Sequence, residues 1–242
     1  MIARVLVVAL IVHSRPAGAF ASSCRNDGWG TAPNATLPVH PRVTFYADRG
    51  WTIARSAHVT ATIDNRDVPI AVTFAAAPPF DIATIEIKSD RTGTLRLTVE
   101  GAGPLEHAQV AYTIAAHAMP AHVHGTASRF HRSYHHTSVH ESWDGLAVAV
   151  DATVIAFSAK WRRDAQSAWS TLIVPGTTLD DPDILHLGEI SCVENFAVTW
   201  LERGIDLELT AELPDGTWLP VEGLPSHVVL APLPAGTDVS TP

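Results

Sequence analysis

Hydrophobic and polar residues alternate with a period of two in many short stretches of the chain between residues 40 and 231. Such alternation is typical of a strand with one face in a core and the other in solvent. The first half shows it at residues 59–63, 70–74, 85–87, 95–99 and 110–114. Because clusters of turn-forming residues separate these stretches, the first half is predicted to be an antiparallel β-sandwich.

The second half repeats this pattern and is predicted to be a second sandwich. Its strand candidates are residues 146–150, 155–161, 169–173, 185–190, 205–213 and 227–230. The clearest hairpin lies at residues 213–218, because Asp215-Gly216 supplies the positive φ that a tight turn between strands requires. No stretch predicts a long amphipathic helix.

Residues 115–141 separate the halves, with many His, Ala and Ser residues and only weak alternation. We place the domain boundary there, near Pro120. The predicted organisation is a signal peptide (1–21), a first sandwich (22–119), a second sandwich (120–235) and a disordered tail rich in Pro, Gly, Ser and Thr (236–242).

The segment at residues 32–45, APNATLPVHPRVTF, has prolines spaced before an alternating V-x-F strand. It resembles the opening strand of bacterial immunoglobulin-like (Ig-like) domains, and the resemblance in pattern covers residues 32–116. The second half is similar to fibronectin type III sandwiches in its number of strands. These resemblances imply two sandwiches in tandem, of a kind that exported bacterial proteins use as spacers or binding modules.

Residues 1–21 have the composition of a secretory signal peptide. Arg4 precedes an apolar run at residues 5–12, and small residues give cleavage sites before Phe20 or before Ser22. The run is shorter than the roughly 20 residues that span a bilayer, and no later run approaches that length. The protein is therefore predicted to be exported, to the periplasm, the cell surface or the medium, and to have no transmembrane segment.

The two cysteines, Cys24 and Cys192, are predicted to form a disulfide, since exported chains meet an oxidising compartment. In the chain-entropy model such a long loop is worth roughly 4 to 5 kcal/mol. The competing interpretation of Cys24 is a lipid anchor, because small residues precede it as in a bacterial lipobox, although the usual leucine is missing. Free thiols and intermolecular pairing also stay open for both cysteines.

The chain is acidic, with a formal net charge of −9. Removing residues 1–21 takes away Arg4 and Arg15 but no acid, which leaves −11. This charge argues against binding to nucleic acid or to an anionic membrane surface, because both would repel the protein. The predicted partner is instead a protein or another component of the cell envelope.

Seven histidines fall between residues 117 and 140, the densest group of titratable residues in the chain: His117, His122, His124, His131, His135, His136 and His140. In a strand, His122 and His124 would lie on one face, where two imidazoles suit joint binding of Zn²⁺ or Cu²⁺. His131 with His135, or His136 with His140, would share a face in a helix.

Two interpretations of this group stay open. The simpler one is a set of solvated histidines in a connection and a first strand, because the spacing matches no established ligand framework. The second is a Cu²⁺ or Zn²⁺ site formed by some of the set His122, His124, His131, His135, His136 and His140. A role in sensing pH is a third, minor hypothesis.

Tryptophans in strand-like runs, at positions 161, 169, 200 and 218, are predicted to pack in cores, whereas those at 29, 51 and 143 are better candidates for exposure.

Local catalytic motifs such as G-x-S-x-G, H-E-x-x-H and the P-loop are absent from the sequence. The sequence therefore favours an exported, non-catalytic binding or structural protein over a periplasmic Cu/Zn-binding protein. A hydrolase whose site is assembled from distant residues is the third hypothesis.

Overall fold

The computed structural model describes residues 28–48, 58–77, 80–102, 105–136, 139–176, 184–190 and 204–230. The chain is all-β, as predicted. The strands in these ranges are β1 Gly28–Trp29, β2 Thr36–Leu37, β3 Arg42–Asp48, β4 His58–Ile63, β5 Arg66–Asp67, β6 Ile70–Ala77, β7 Phe80–Ile87, β8 Gly93–Ala102, β9 Leu105–Ile114, β10 Val123–His136, β11 Val139–Val150, β12 Ala156–Arg162, β13 Ser170–Pro175, β14 Ile184–Ile190, β15 Ile205–Glu212, β16 Trp218–Glu222 and β17 His227–Val228.

The first half contains two sheets that cover one core. One sheet has the strand order β1-β3-β7-β6, and the other has the order β2-β9-β8-β4-β5. Neighbouring strands are antiparallel except for β2 and β9. Alternate residues point inward from both sheets, and the largest fully buried ones are Tyr112, Phe45, Ile85, Ile87, Leu95 and Leu97.

The second half forms one continuous sheet with the order β13-β12-β15-β16-β10-β11-β14, and β17 pairs with the start of β15. Leu172 and Val174 from β13, at one end of this order, share a core with Leu146 and Val148 from β11, near the other end. The sheet therefore folds over so that both ends face the same apolar interior. A short parallel pairing of β10 with β16 connects its two parts.

Two turns form as their sequences predict. Gly216 has φ of 87°, and the hairpin between β15 and β16 is closed by a hydrogen bond from the Leu213 N–H to the Thr217 carbonyl. Asp64 and Asn65 both have positive φ, 49° and 61°, in the turn between β4 and β5. Asn and Asp tolerate this left-handed conformation better than other side chains do.

The connection between the halves is more regular than its weak alternation indicates. β10 and β11 form a long antiparallel hairpin through most of residues 123–150, in which Gly125 pairs with Val150 and His136 with Val139. Val123 is fully buried, but the following residues are mostly small or polar, so backbone hydrogen bonding and not a hydrophobic stripe defines the strand. The domain boundary near Pro120 stays a prediction.

The two halves meet through a shared hydrophobic core. Tyr46 of β3 and Ile82 of β7 belong to the first half, yet they pack in the core of the second half and are 3% and 7% exposed. Phe157 of β12, on the second-half side of that core, is 1% exposed. The core of the second half thus extends to two buried residues of the first half, while the first half also has a separate core of its own.

Polar contacts complete this junction. Arg42 Nη1 of β3 lies 2.6 Å from Glu212 Oε1 of β15, and Glu212 is buried. The hydroxyl of Thr44 donates a hydrogen bond of 2.7 Å to the carbonyl of Ile155. Gly30 lies against the Thr44 side chain and the Ile155 carbonyl, so that a Cβ at this position would overlap Thr44 and would come within 2.6 Å of the Ile155 oxygen.

Several predicted features lie outside the described residues. These are the signal peptide, both cysteines with their disulfide or lipid anchor, and the tail at 236–242. Within the described part of the chain, no helix has the length and apolar character needed to cross a membrane.

Candidate functional site

His122 and His124 lie where β10 and β16 join the two parts of the second-half sheet. The two strands run parallel here, with Val123 opposite Val221 and His124 opposite Glu222. Period-two alternation buries Val123 and leaves both histidines and Glu222 at the surface. We call this set of His122, His124 and Glu222 the seam cluster.

In the seam cluster, two imidazoles converge on one carboxylate. His122 Nδ1 lies 2.9 Å from Glu222 Oε1, a hydrogen bond in which the imidazole N–H donates. His124 Nδ1 lies 3.7 Å from the other oxygen, Glu222 Oε2. The two rings are nearly parallel, with centroids 6.3 Å apart and planes 18° apart. The hydrogen bond with His122 holds the pKa of Glu222 below its ordinary value.

Backbone contacts fix the position of this cluster. The His124 N–H donates to Asp151 Oδ1 at 2.8 Å, and the Asp151 N–H donates to the His124 carbonyl at 3.0 Å. A Cβ at Gly125 would come within 2.6 Å of Val221 Cγ1, and a Cβ at Gly223 within 2.9 Å of the Gly125 carbonyl. These two glycines therefore permit the close approach of β10 to β16.

The remaining histidines of the group lie elsewhere. His117 precedes β10 and its ring contacts the Ala115 carbonyl at 3.2 Å. His131 is seven residues beyond His124, which in an extended strand is about 23 Å. His135 pairs with His140 across the β10–β11 hairpin, so the helix in which His131 with His135, or His136 with His140, would share a face does not form here. Among the seven histidines, the described structure brings His122 and His124 together at the seam cluster.

A second polar group, which the sequence did not reveal, runs across one end of the second-half sheet. Register pairs Arg162 of β12 with Asp206 of β15, and Asp206 with His227 of β17. Asp206 contacts His227 Nδ1 at 3.0 Å and Arg162 Nε at 2.9 Å, and these contacts lower its pKa. The Arg162 guanidinium lies 4.6 Å from the centre of the Trp169 ring.

The tryptophan predictions are wrong at two positions. The sequence predicts Trp169 and Trp218 in cores, but they are 38% and 40% exposed. Val221 points inward from β16, so alternation directs Trp218, three residues earlier, to the opposite face. Trp29, which the sequence favours for exposure, is partly exposed and packs edge-on against Phe45 with ring centroids 5.0 Å apart.

A groove of about 490 Å³ lies at the junction of the halves. It is lined by residues 32–35 of the first half, residues 150–154 of the second half, and Gly176. Asn34, with φ of 65°, Asp151 and Thr153 are its polar residues. Asp151 already accepts a hydrogen bond from the backbone of His124, so the groove and the seam cluster share a residue.

Among the described residues, the rings of His40, His122 and His227 form hydrogen bonds with the carboxylates of Asp90, Glu222 and Asp206 respectively. The His117 ring contacts a backbone carbonyl instead. In the parts of the chain that the structure describes, no three His, Cys, Asp or Glu side chains already stand in an arrangement that holds a metal ion.

Comparisons with known proteins find little similarity. No family model matches the chain, and no curated protein matches it. Among solved structures, a pullulanase from Anoxybacillus sp. LM18-11 has 9% identity and a TM-score of 0.26, over 78% of this chain and 25% of that chain. The tandem Ig repeats of Dlar have 12% identity and a TM-score of 0.24, over 86% and 100% of the two chains.

A chimeric titin Z1Z2-Z1Z2 tandem has 10% identity and a TM-score of 0.22, over 81% of this chain and 97% of that chain. This chain spans about a quarter of the length of the pullulanases that it matches. The identities and TM-scores are low in every case. These neighbours therefore assign neither a family nor an activity.

Proposed function

We propose that the protein is an exported, non-catalytic binding or structural element in which two Ig-like sandwich domains, residues 22–119 and 120–235, are held in a fixed relation. Its partner is a protein or another component of the cell envelope. The observation that carries this proposal is the packing of Tyr46 and Ile82 of the first half within the hydrophobic core of the second half.

A buried apolar contact between the halves supports a rigid pair of domains, because domains that meet through small, polar contacts usually move relative to one another. Here a slip between the halves would expose Tyr46 and Ile82 and separate the buried carboxylate of Glu212 from Arg42. It would also break the hydrogen bond from Thr44 to Ile155. A fixed spacing between two surfaces is useful for a spacer or for a protein that presents a binding surface.

Distances between spin labels test this rigidity. Labels carried by non-natural amino acids would replace Arg96 in the first half and Glu208 in the second half, both exposed strand residues. We expect a distance distribution as narrow as that of a control pair within the first half, at Thr73 and Arg96. Replacing Tyr46 with Ala should broaden only the distribution between the halves. A broad distribution in the unmodified protein would contradict the proposal.

Export is tested by producing the full chain in a bacterial host and recovering it from the periplasm or medium. Signal peptidase cleavage should give an N-terminus at Phe20 or Ser22. An intact mass about 2 Da lower than that of the reduced form would establish the proposed disulfide between Cys24 and Cys192. Acyl chains on Cys24 would replace the disulfide with a lipid anchor, and an uncleaved chain confined to the cytoplasm would contradict export.

A further inference from the structure

Two imidazoles and a carboxylate share one small region of the surface at the seam cluster. We propose that His122, His124 and Glu222 bind a single first-row divalent metal ion, Cu²⁺ more tightly than Zn²⁺. This inference goes beyond the proposed structural role and does not depend on it. It rests on the convergence of both Nδ1 atoms on the two oxygens of Glu222.

The donor set suits such ions. Imidazole nitrogens and a carboxylate oxygen are ligands of both Zn²⁺ and Cu²⁺, and for a given site Cu²⁺ binds more tightly in the Irving–Williams order. One carboxylate and two neutral imidazoles would leave a net charge of +1 on the complex. The surrounding protein is acidic, with a net charge of −9, and attracts a cation.

The distances are close to those of a bound ion. Ligands about 2.0 Å from a metal lie about 2.8 Å apart in a square plane and about 3.3 Å apart in a tetrahedron. His122 Nδ1 is 2.9 Å from Glu222 Oε1, which is close to the square-plane separation. His124 Nδ1 is 3.7 Å from Glu222 Oε2 and must approach by about 0.9 Å to reach the same square plane, or by about 0.4 Å to reach a tetrahedron.

The imidazole rings must also move. The centroids of two neighbouring ligating rings lie about 5.2 Å apart in a tetrahedral complex and about 4.5 Å apart in a square plane, so the observed separation of 6.3 Å would shrink by about 1 to 2 Å. All three side chains have room for this movement, since they are 67%, 61% and 46% exposed. Thus side-chain rotation alone can close the site.

The backbone beneath the site is held in place, so that the side chains can rotate without a change in the backbone. His124 and Glu222 are register partners, and the two hydrogen bonds with Asp151 restrain the His124 backbone. Gly125 and Gly223 keep the strands in close contact. A bound ion would link β10 to β16 and strengthen the short pairing that joins the two parts of the sheet.

Calorimetric titration of the full chain, produced without a histidine tag, with CuCl₂ and separately with ZnCl₂ tests the proposal. We expect one high-affinity Cu²⁺ per chain, weaker Zn²⁺ binding, and a thermal midpoint that rises with added Cu²⁺. His122→Ala and His124→Ala should each weaken Cu²⁺ binding at least about tenfold, and Glu222→Gln should weaken it less. His117→Ala is the matched control and should leave binding unchanged.

The electron paramagnetic resonance spectrum of the bound Cu²⁺ gives an independent measurement, in which two imidazole nitrogens should be visible in the unmodified protein and one in either single variant. Circular dichroism checks that each variant is folded. Cu²⁺ binding that persists in both variants but disappears in His135→Ala/His140→Ala would place the ion on the β10–β11 hairpin and overturn the proposal. Failure of the unmodified protein to bind Cu²⁺ would overturn it as well.

Discussion

Replacing Arg42 with Ala should destabilise the protein in a way that depends on pH. Arg42 reaches from the first half to the buried carboxylate of Glu212, with 2.6 Å between Nη1 and Oε1. Burial raises the pKa of Glu212, and the nearby positive charge of Arg42 only partly offsets this effect. Without Arg42, an ionised Glu212 would be buried without the cation that faces it from the first half.

The size of the loss follows from the geometry. At 2.6 Å and an effective dielectric constant of about 20, the attraction between the two charges is about 6 kcal/mol before desolvation is subtracted. Removing one partner of a fully buried pair costs about 3 to 5 kcal/mol. The Arg42 side chain is 32% exposed, so water can partly replace it, and we expect a loss of about 2 to 3 kcal/mol at pH 7.

The loss should shrink as the pH falls. A carboxyl group whose pKa is raised by folding binds a proton more readily in the folded state than in the unfolded state, so its folded state gains relative stability on acidification. Removing Arg42 raises the pKa of Glu212 further. At pH 5 the carboxyl of the variant is therefore more often neutral, and we expect a loss of about 1 kcal/mol there.

Urea denaturation followed by tryptophan fluorescence, at pH 7 and at pH 5, measures both values. Arg96→Ala removes an exposed arginine of β8 and serves as the control, with an expected change within about 0.5 kcal/mol at either pH. Equal losses at both pH values for Arg42→Ala would show that Glu212 is not the group responsible. A loss below about 0.5 kcal/mol would refute the importance of the ion pair.

Three further predictions concern the core and the sheet end. Gly30→Ala should destabilise the protein by about 1 to 3 kcal/mol in urea denaturation, because its Cβ would overlap Thr44; an unchanged midpoint would mean that the junction is loosely packed. Phe157→Ala should cost about 3 to 5 kcal/mol by the same measurement, as it opens a cavity in the shared core. Asp206→Asn should lower the urea midpoint at pH 7, because the amide lacks the negative charge that attracts Arg162. The difference between the variant and the unmodified protein should fade as the pH drops through the lowered pKa of Asp206, because the protonated carboxyl of the unmodified protein then lacks that charge as well. A difference that is constant down to about pH 2 would contradict this explanation.

The sequence predicts individual strands and turns well where short-range rules govern them. Alternation identifies β8 and β9, and Asp215-Gly216 identifies the hairpin because its φ values depend on local sterics alone. The sequence predicts the two histidines of the seam cluster but not its carboxylate. His122 and His124 share a face by period-two spacing, but Glu222 is about a hundred residues away and sequence spacing gives no indication of it.

What could not be predicted depends on which strands pair and in what register. Trp169 lies at the surface just before β13, with the Arg162 guanidinium of β12 over its ring, and this contact depends on the register of the β12–β13 hairpin. Tyr46 and Ile82 are out of phase with Phe45 and Ala83, which fill the core of the first half, and they pack instead in the core of the second half. The alternation predicts which residues are buried, but it does not predict which residues they pack against.

The parallel pairing of β10 with β16 also constrains when the second half can fold. Val123 and Val221 are 98 positions apart, and closing a flexible loop of that length costs about 4 kcal/mol in the logarithmic term alone, against about 1 kcal/mol for a tight turn. The β10–β11 hairpin can form early from local contacts, but its junction with the rest of the sheet must wait for β16. During synthesis, β10 therefore has an unpaired edge until residues near the C-terminus of the chain emerge, and this edge is where premature association with another chain would begin.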